Sequence, residues 1–573
     1  MTVTETHAPV TGEHVPPPSL GESSPRGLAG LLSSGDHKTV GRMWIVVSLL
    51  LGGFVLVCGL LLHLERTALP NVDVFVGVES FRQIFTLHRI GLVFLFAMPL
   101  WIGLATYMVP LQIGARGVAF PRAAAAAFWV WLTGAGILIA SWAIDGGLVA
   151  GGEQRAVELS LLSFAVVVLA QLAAVAVLLT TMFTQRPHGM SLERMPIFSW
   201  SVLVAGAVWL LTLPVLVANL VIMWVDLRGA GAVRYGAGQN LFDQVAWVFE
   251  QPQVFVFAVP AIGVIGEILP VAFGTPQRRW GVMLSLVGLV GVFSFGAGLQ
   301  GFFSPSARTT PLYVVSGIVL ALGVVALLGG WADLGRSTRR LPRPSGHLAL
   351  ALSALGVLVF AAIVAFIRVL GGAVGFLRSF ARHNESWQND LDGALAPLDD
   401  LRGTMAGAGL LDLVVMTAVL GAVAGLFYWS PKIFGRRASH AAGFGAAGIL
   451  GAGGLLVGLM GLVAGFLGQP DQPSMSFTSV GAEVAAVLSV IGVIGILAGL
   501  GIVVISVLRG ASELARGATT VTDPWGGHTL EWVAPSPPPV DNFADQPVAP
   551  VRSAHPLWDT PPPGGADALG SAR

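Results

Sequence analysis

The chain has 573 residues, 54% hydrophobic and only 11% charged, with 31 Lys and Arg against 31 Asp and Glu. Soluble domains carry about 25% charged residues, and disordered chains are poor in apolar ones, so both classes are excluded. The neutral balance gives no basic footprint for nucleic acid, and the single cysteine, Cys58, leaves no intrachain disulfide or Cys-based metal cluster.

Residues 1–35 are rich in Pro, Ser and Gly, lack the apolar run of a signal peptide, and read as a flexible tail. A membrane-spanning helix needs about 20 mostly apolar residues. Twelve such segments follow, near 43–63, 85–110, 127–148, 158–183, 198–225, 248–272, 280–303, 312–332, 347–370, 405–429, 443–467 and 484–508. The one long external connection, 371–404, carries Trp387, Asp390, Asp392, Asp399 and Asp400, and loops of that length usually fold locally or carry a function. Residues 510–573 form a Pro-rich tail expected to extend over the cytoplasmic face. Lys and Arg favour the side holding both termini by about two to one, which places that side in the cytoplasm. The expected fold is an all-α, twelve-helix bundle over 36–509, multi-pass in the cell (inner/plasma) membrane.

Five stretches punctuate these segments: DHKTVGRMW (36–44), PLQIGARGVAFPR (110–122), GMSLERMPIFSWSVLV (189–204), FYWSPKIFGR (427–436) and DPWGGHTLEWVAPSPPPVDNF (523–543). In order and spacing they resemble subunit I of cytochrome c oxidase, of the haem-copper oxidase superfamily. The resemblance covers nearly the whole chain and implies the twelve-helix subunit I bundle. By itself it also implies oxygen reduction coupled to proton translocation.

That family uses six histidines as ligands of two haems and a copper ion, imidazole being suited to both metals. Position by position, the second-segment ligand matches His88 in FTLHRIGLVF. The family's His-Pro-Glu-Val-Tyr stands as Gln251-Pro252-Gln253-Val254-Phe255, and its His-His pair as Gln300 and Gly301. The two tenth-segment ligands align with Gly409 and Leu411. The acid and amides of the proton entry become Gly117, Thr106 and Ala124, the eighth-segment Lys becomes Leu327, and the arginines on the haem propionates become Asp471 and Gln472. These replacements imply a degenerate homologue with no catalytic residue, no copper and no haem. The function expected is that of a structural or assembly subunit in a respiratory-type membrane complex, beside subunit II-like or III-like partners or an authentic oxidase, in the lipid bilayer.

Two alternatives stay open. One is a single-haem electron-transfer protein on His88, since one axial ligand suffices to hold a haem; the bland reading of His88 is a histidine bonded to a neighbouring group. The other is a transporter or channel in the emptied cofactor space, lined by Glu250, Glu267 and Asp412, because intramembrane acids mark function by default. His63 reads as an interfacial residue. Gly454-x3-Gly458 and Gly461-x3-Gly465 suit either a dimer face or close packing inside the subunit. Two contacts are expected to fill the lost sites: an amide bond between Gln251 and Gln300, and an ion pair between Arg89 and Asp412.

Overall fold

The computed structural model describes residues 33–67, 74–149, 152–229, 241–299, 309–338, 341–381, 404–471, 479–543 and 548–559, with Gly30 and Leu401. It is an α-helical bundle. The long helices are α1 (His37–Glu65), α2 (Val78–Gln112, π-helical over Gly91–Ala97), α3 (Pro121–Ala143), α4 (Gln154–Thr184) and α5 (Ile197–Arg228). Next come α6 (Val259–Phe273, entered through a 3-10 turn Gln253–Ala258), α7 (Trp280–Phe293), α8 (Thr309–Thr338) and α9 (Gly346–Ala381). The last three are α10 (Met405–Tyr428), α11 (His440–Phe466) and α12 (Val480–Ala515).

Eleven of these are long and apolar enough to cross a membrane, whereas α7 has 14 residues. Its expected span, 280–303, breaks after Phe293 into a bend and a short 3-10 turn at Ala297–Leu299. Several helices start earlier than hydropathy suggests because a polar side chain caps the first turn and satisfies its free N–H groups. Asp36 accepts from the backbone of Lys38 and Thr39, Glu153 from Ala156, Thr404 from Ala406 and Ser439 from Ala442. Gly274 and Gly435, with φ of 63° and 66°, end α6 and the one-turn helix Ser430–Phe434 in the left-handed conformation glycine favours.

Helices α2, α6 and α10 are almost wholly enclosed, and the others surround them. The glycines of α11 face α10 within the same chain: a Cβ on Gly454 would meet Met416, and one on Gly461 would meet Gly409. This is the packing alternative for that stripe, in which small residues let backbones approach. At the outer end, Met405 N donates to Gln469 O, tying α10 to the exit of α11. The connection 371–404 lies largely outside the described residues, as do Gln300, Gly301 and Gln472.

Candidate functional site

The positions carried over from the six ligands lie in the outer half of the bundle. His88 Nδ1 is 3.0 Å from Val55 O on α1, and its ring packs on Gly59, where a Cβ would lie 2.5 Å from the imidazole. Opposite it, Leu411 is an apolar core residue. Gly409 has no space for any side chain, since a Cβ there would lie 2.4 Å from Gly458 O.

The amides of the sixth segment are bonded to protein groups. Gln251 Nε2 donates to Ala365 O on α9 at 3.3 Å, not to position 300, which is outside the described residues. Gln253 Nε2 donates to Thr212 Oγ1 at 3.1 Å, and its Oε1 accepts from Gly296 N at 2.8 Å. Among the described residues no three His, Cys, Asp or Glu side chains converge as metal ligands. This donor set, one imidazole with amides, glycine and leucine, does not fit a haem-copper dinuclear centre.

A charge cluster stands near the second-segment ligand. Arg89 does not reach Asp412; its Nη2 lies 2.8 Å from Asp471 Oδ1. Neighbouring side chains on a helix diverge by about 100°, and Arg89 therefore turns toward the exit of α11 instead of toward α10. Arg66, at the end of α1, donates to Asp471 O at 3.0 Å and to Met405 Sδ at 2.9 Å. Both guanidiniums also cover aromatic faces, Arg89 on Phe85 and Arg66 on Phe81. Asp412 stands in the field of Arg89 and Arg66 without a hydrogen bond or ion pair among the described residues. Arg66 was missed by the sequence reading. Its signal was an Arg directly after an apolar span, with an acid in the facing external turn.

The three acids considered for a path are spread along the bundle. Glu250 is exposed beyond the outer start of α6, Asp412 is seven residues into α10 from outside, and Glu267 is fully buried near the inner end of α6. His63 borders a small recess beside Arg66 and Met405.

The stretches that carry the resemblance converge instead on the cytoplasmic face. His37 lies 2.9 Å from Thr106 O and 3.2 Å from Asn542 Oδ1, and Lys38 Nζ donates to Asn542 Oδ1 and Val540 O. Asn542 Nδ2 in turn donates to Ala115 O. Lys432 is fully buried, with Nζ on the carbonyls of Thr522 and Ala534 and its own carbonyl accepting from Tyr107 Oη at 2.7 Å. Burial draws its ammonium down to about 8, with Glu531 pulling the other way.

Glu531 Oε1 accepts from Gln112 Nε2 at 3.2 Å and Trp429 Nε1 at 3.0 Å, while Ser199 Oγ donates to Gln112 Oε1. Glu267 accepts from Phe198 N and stands 3.5 Å from His528 Nε2. Burial pushes the Glu531 carboxyl up and the His528 imidazole down, so both favour their uncharged forms. Residues 519–543 are thus packed into the bundle floor, and the face is a polar lock built from both ends of the chain.

The family model for cytochrome c and quinol oxidase polypeptide I matches residues 39–391. Cytochrome c oxidase subunit 1 of Bacillus subtilis is 27% identical over 94% of this chain and 85% of its own length. The corresponding protein of Bacillus sp. PS3 is 28% identical over 92% and 83%. A heme-copper oxidase subunit I+III of Aeropyrum pernix is 28% identical over 90% of this chain, which spans 62% of that longer protein. With the apolar helices, the outer and inner clusters and these matches together, the chain is a multi-pass membrane protein belonging to the cytochrome c and quinol oxidase polypeptide I family.

Proposed function

We propose that this chain is a subunit I homologue without an oxygen-reducing centre, serving as a structural or assembly subunit of a respiratory-type membrane complex. The observation that carries the reading is Gly409, whose Cβ position is taken by the Gly458 carbonyl. A ligand there would have to push α10 off α11. The bonds of Gln251 and Gln253 to Ala365, Thr212 and Gly296 support it, because they use amide groups that would otherwise be costly in the lipid-embedded core. The preserved cytoplasmic lock supports a scaffold role. Its partners would be subunit II-like or III-like chains or an authentic oxidase, a reading in keeping with the subunit I+III name of the Aeropyrum relative.

The test is purification from the native membrane with haem and copper analysis and identification of co-purifying subunits. Partner subunits with copper far below one per chain support the proposal; stoichiometric copper surviving mild chelation overturns it.

A second reading, a single haem on His88, is favoured by one feature. Its Nδ1 is held by a backbone carbonyl, as the second nitrogen of a ligating histidine commonly is. A haem spectrum in the purified chain that disappears in His88→Ala would select it.

A further inference from the structure

A cleft of about 310 Å³ opens where the inner ends of α10, α11 and α12 meet. Small-molecule sites range over about 300–1,000 Å³, so this one has room for part of an amphiphile. Its two walls differ in kind. Leu426, Phe427, Phe434 and Val507 form an apolar side, and Arg436 and Arg509 stand among the remaining lining groups.

Local sequence keeps the hollow open. Ser430 Oγ accepts from Ala438 N at 2.9 Å and donates to Phe427 O at 2.8 Å, fixing the turn between α10 and α11. The side chains facing inward from α11 and α12 are small: Ala438, Ser439, Ala442, Ser506 and Gly510. Gly510 touches Phe434 so closely that a Cβ would lie 2.7 Å from its ring. The helices therefore meet at that point and leave the space beside it unfilled.

The depth is that of a membrane interface. Leu426 and Phe427 are among the last three residues of α10, Ala442 is the third residue of α11, and Arg509 is six residues before the end of α12. The charge balance is positive: Arg436 pairs with Glu513, while Arg509 is exposed and makes no ion pair among the described residues. Basic pockets between spanning helices on the cytoplasmic side suit anionic lipid headgroups, and guanidinium presents a planar fork to phosphate oxygens.

We propose that this cleft binds one anionic phospholipid of the cytoplasmic leaflet, its phosphate on Arg509 and Arg436 and the upper part of an acyl chain against Phe427, Phe434 and Val507. The site is separate from the former cofactor positions and independent of the scaffold reading.

The test uses the full-length protein in nanodiscs of equal phosphatidylcholine and phosphatidylglycerol, released into mild detergent and weighed by native mass spectrometry. One phosphatidylglycerol retained per chain in preference to phosphatidylcholine is the expected result. Arg509→Gln lowers that retention about fivefold, the worth of one basic residue at an anionic surface. Ala442→Phe fills the hollow, keeps both arginines and removes retention, while Arg116→Gln, exposed on the same face outside the cleft, leaves it unchanged. Thermal unfolding confirms that each variant is folded; should Ala442→Phe not fold, Arg509→Gln decides alone. Equal retention of the two lipids, phosphatidylglycerol retention unaffected by Arg509→Gln, or a quinone in place of the lipid overturns the proposal.

Discussion

Asp471 Oδ1 lies 2.8 Å from Arg89 Nη2, so an acid at a position where the family has a propionate-binding arginine neutralises a buried cation of α2. The carboxylate that a haem would bring is here part of the protein. With Asp471 O on Arg66 as well, one external turn joins the outer ends of α1, α2 and α11.

Removing one member leaves an uncompensated buried charge. Asp471→Asn is expected to destabilise the chain by about 3 kcal/mol, whereas Arg89→Met with Asp471→Leu costs much less than the sum of the single changes. Thermal unfolding of the four proteins in one detergent, read as a double-mutant cycle, checks this. Additive single effects would show that the ion pair contributes nothing of its own.

Gly409→Ala places a methyl group 2.4 Å from Gly458 O, and overpacking of this kind costs about 1–3 kcal/mol. Gly409→His is expected to cost more and to yield a chain that takes up no additional haem. A stable Gly409→His protein would show that α10 and α11 separate easily.

On the cytoplasmic side, Glu531→Ala leaves the Trp429 and Gln112 donors without their acceptor. Each buried orphan costs about 1–3 kcal/mol. Glu531→Gln keeps an acceptor oxygen and is expected to cost roughly a third as much, on the same scale. Their melting temperatures in matched detergent give the ratio.

The docking of the C-terminal segment is pH-dependent through His555, which packs on Trp280 and His528 and is held down to about 4 by burial. The detached segment has an ordinary imidazole near 6.5 and binds the proton first as pH falls. Docking is therefore complete above about pH 6.5 and weakens toward pH 4, with an upper limit of about 3 kcal/mol for this group. Glu531, pushed up by burial, works in the opposite sense, so the contribution of His555 is read as the difference from His555→Gln. Hydrogen exchange over residues 548–559 at pH 5 and 7.5 should show acid loosening in the wild type and less in the variant.

The bundle was legible because apolar runs of about 20 residues have few other uses. The broken seventh helix was not, since Ser294, Gly296 and Gly298 interrupt a stretch whose mean composition is still apolar. Arg89 and Asp412 were recognised as charges needing partners, but which partner Arg89 takes depends on helix rotation, and pattern does not fix that. The cytoplasmic lock was visible only as five stretches of resemblance. That they meet through His37, Gln112, Lys432, Glu531 and Asn542 is a long-range fact that no local periodicity carries.

The bond between His37 and Asn542 joins positions 505 residues apart. Synthesis runs from the N-terminus, and earlier parts of a chain fold first. The inner end of α1 therefore waits through the insertion of all eleven later helices before Asn542 arrives to close it. A nascent chain stopped after α12 would hold every spanning segment yet leave Lys38 and Lys432 without the carbonyls of Val540, Thr522 and Ala534. Completion of translation is in this way written into the floor of the protein, and a membrane quality-control protease could tell finished from unfinished copies by those two bare ammonium groups.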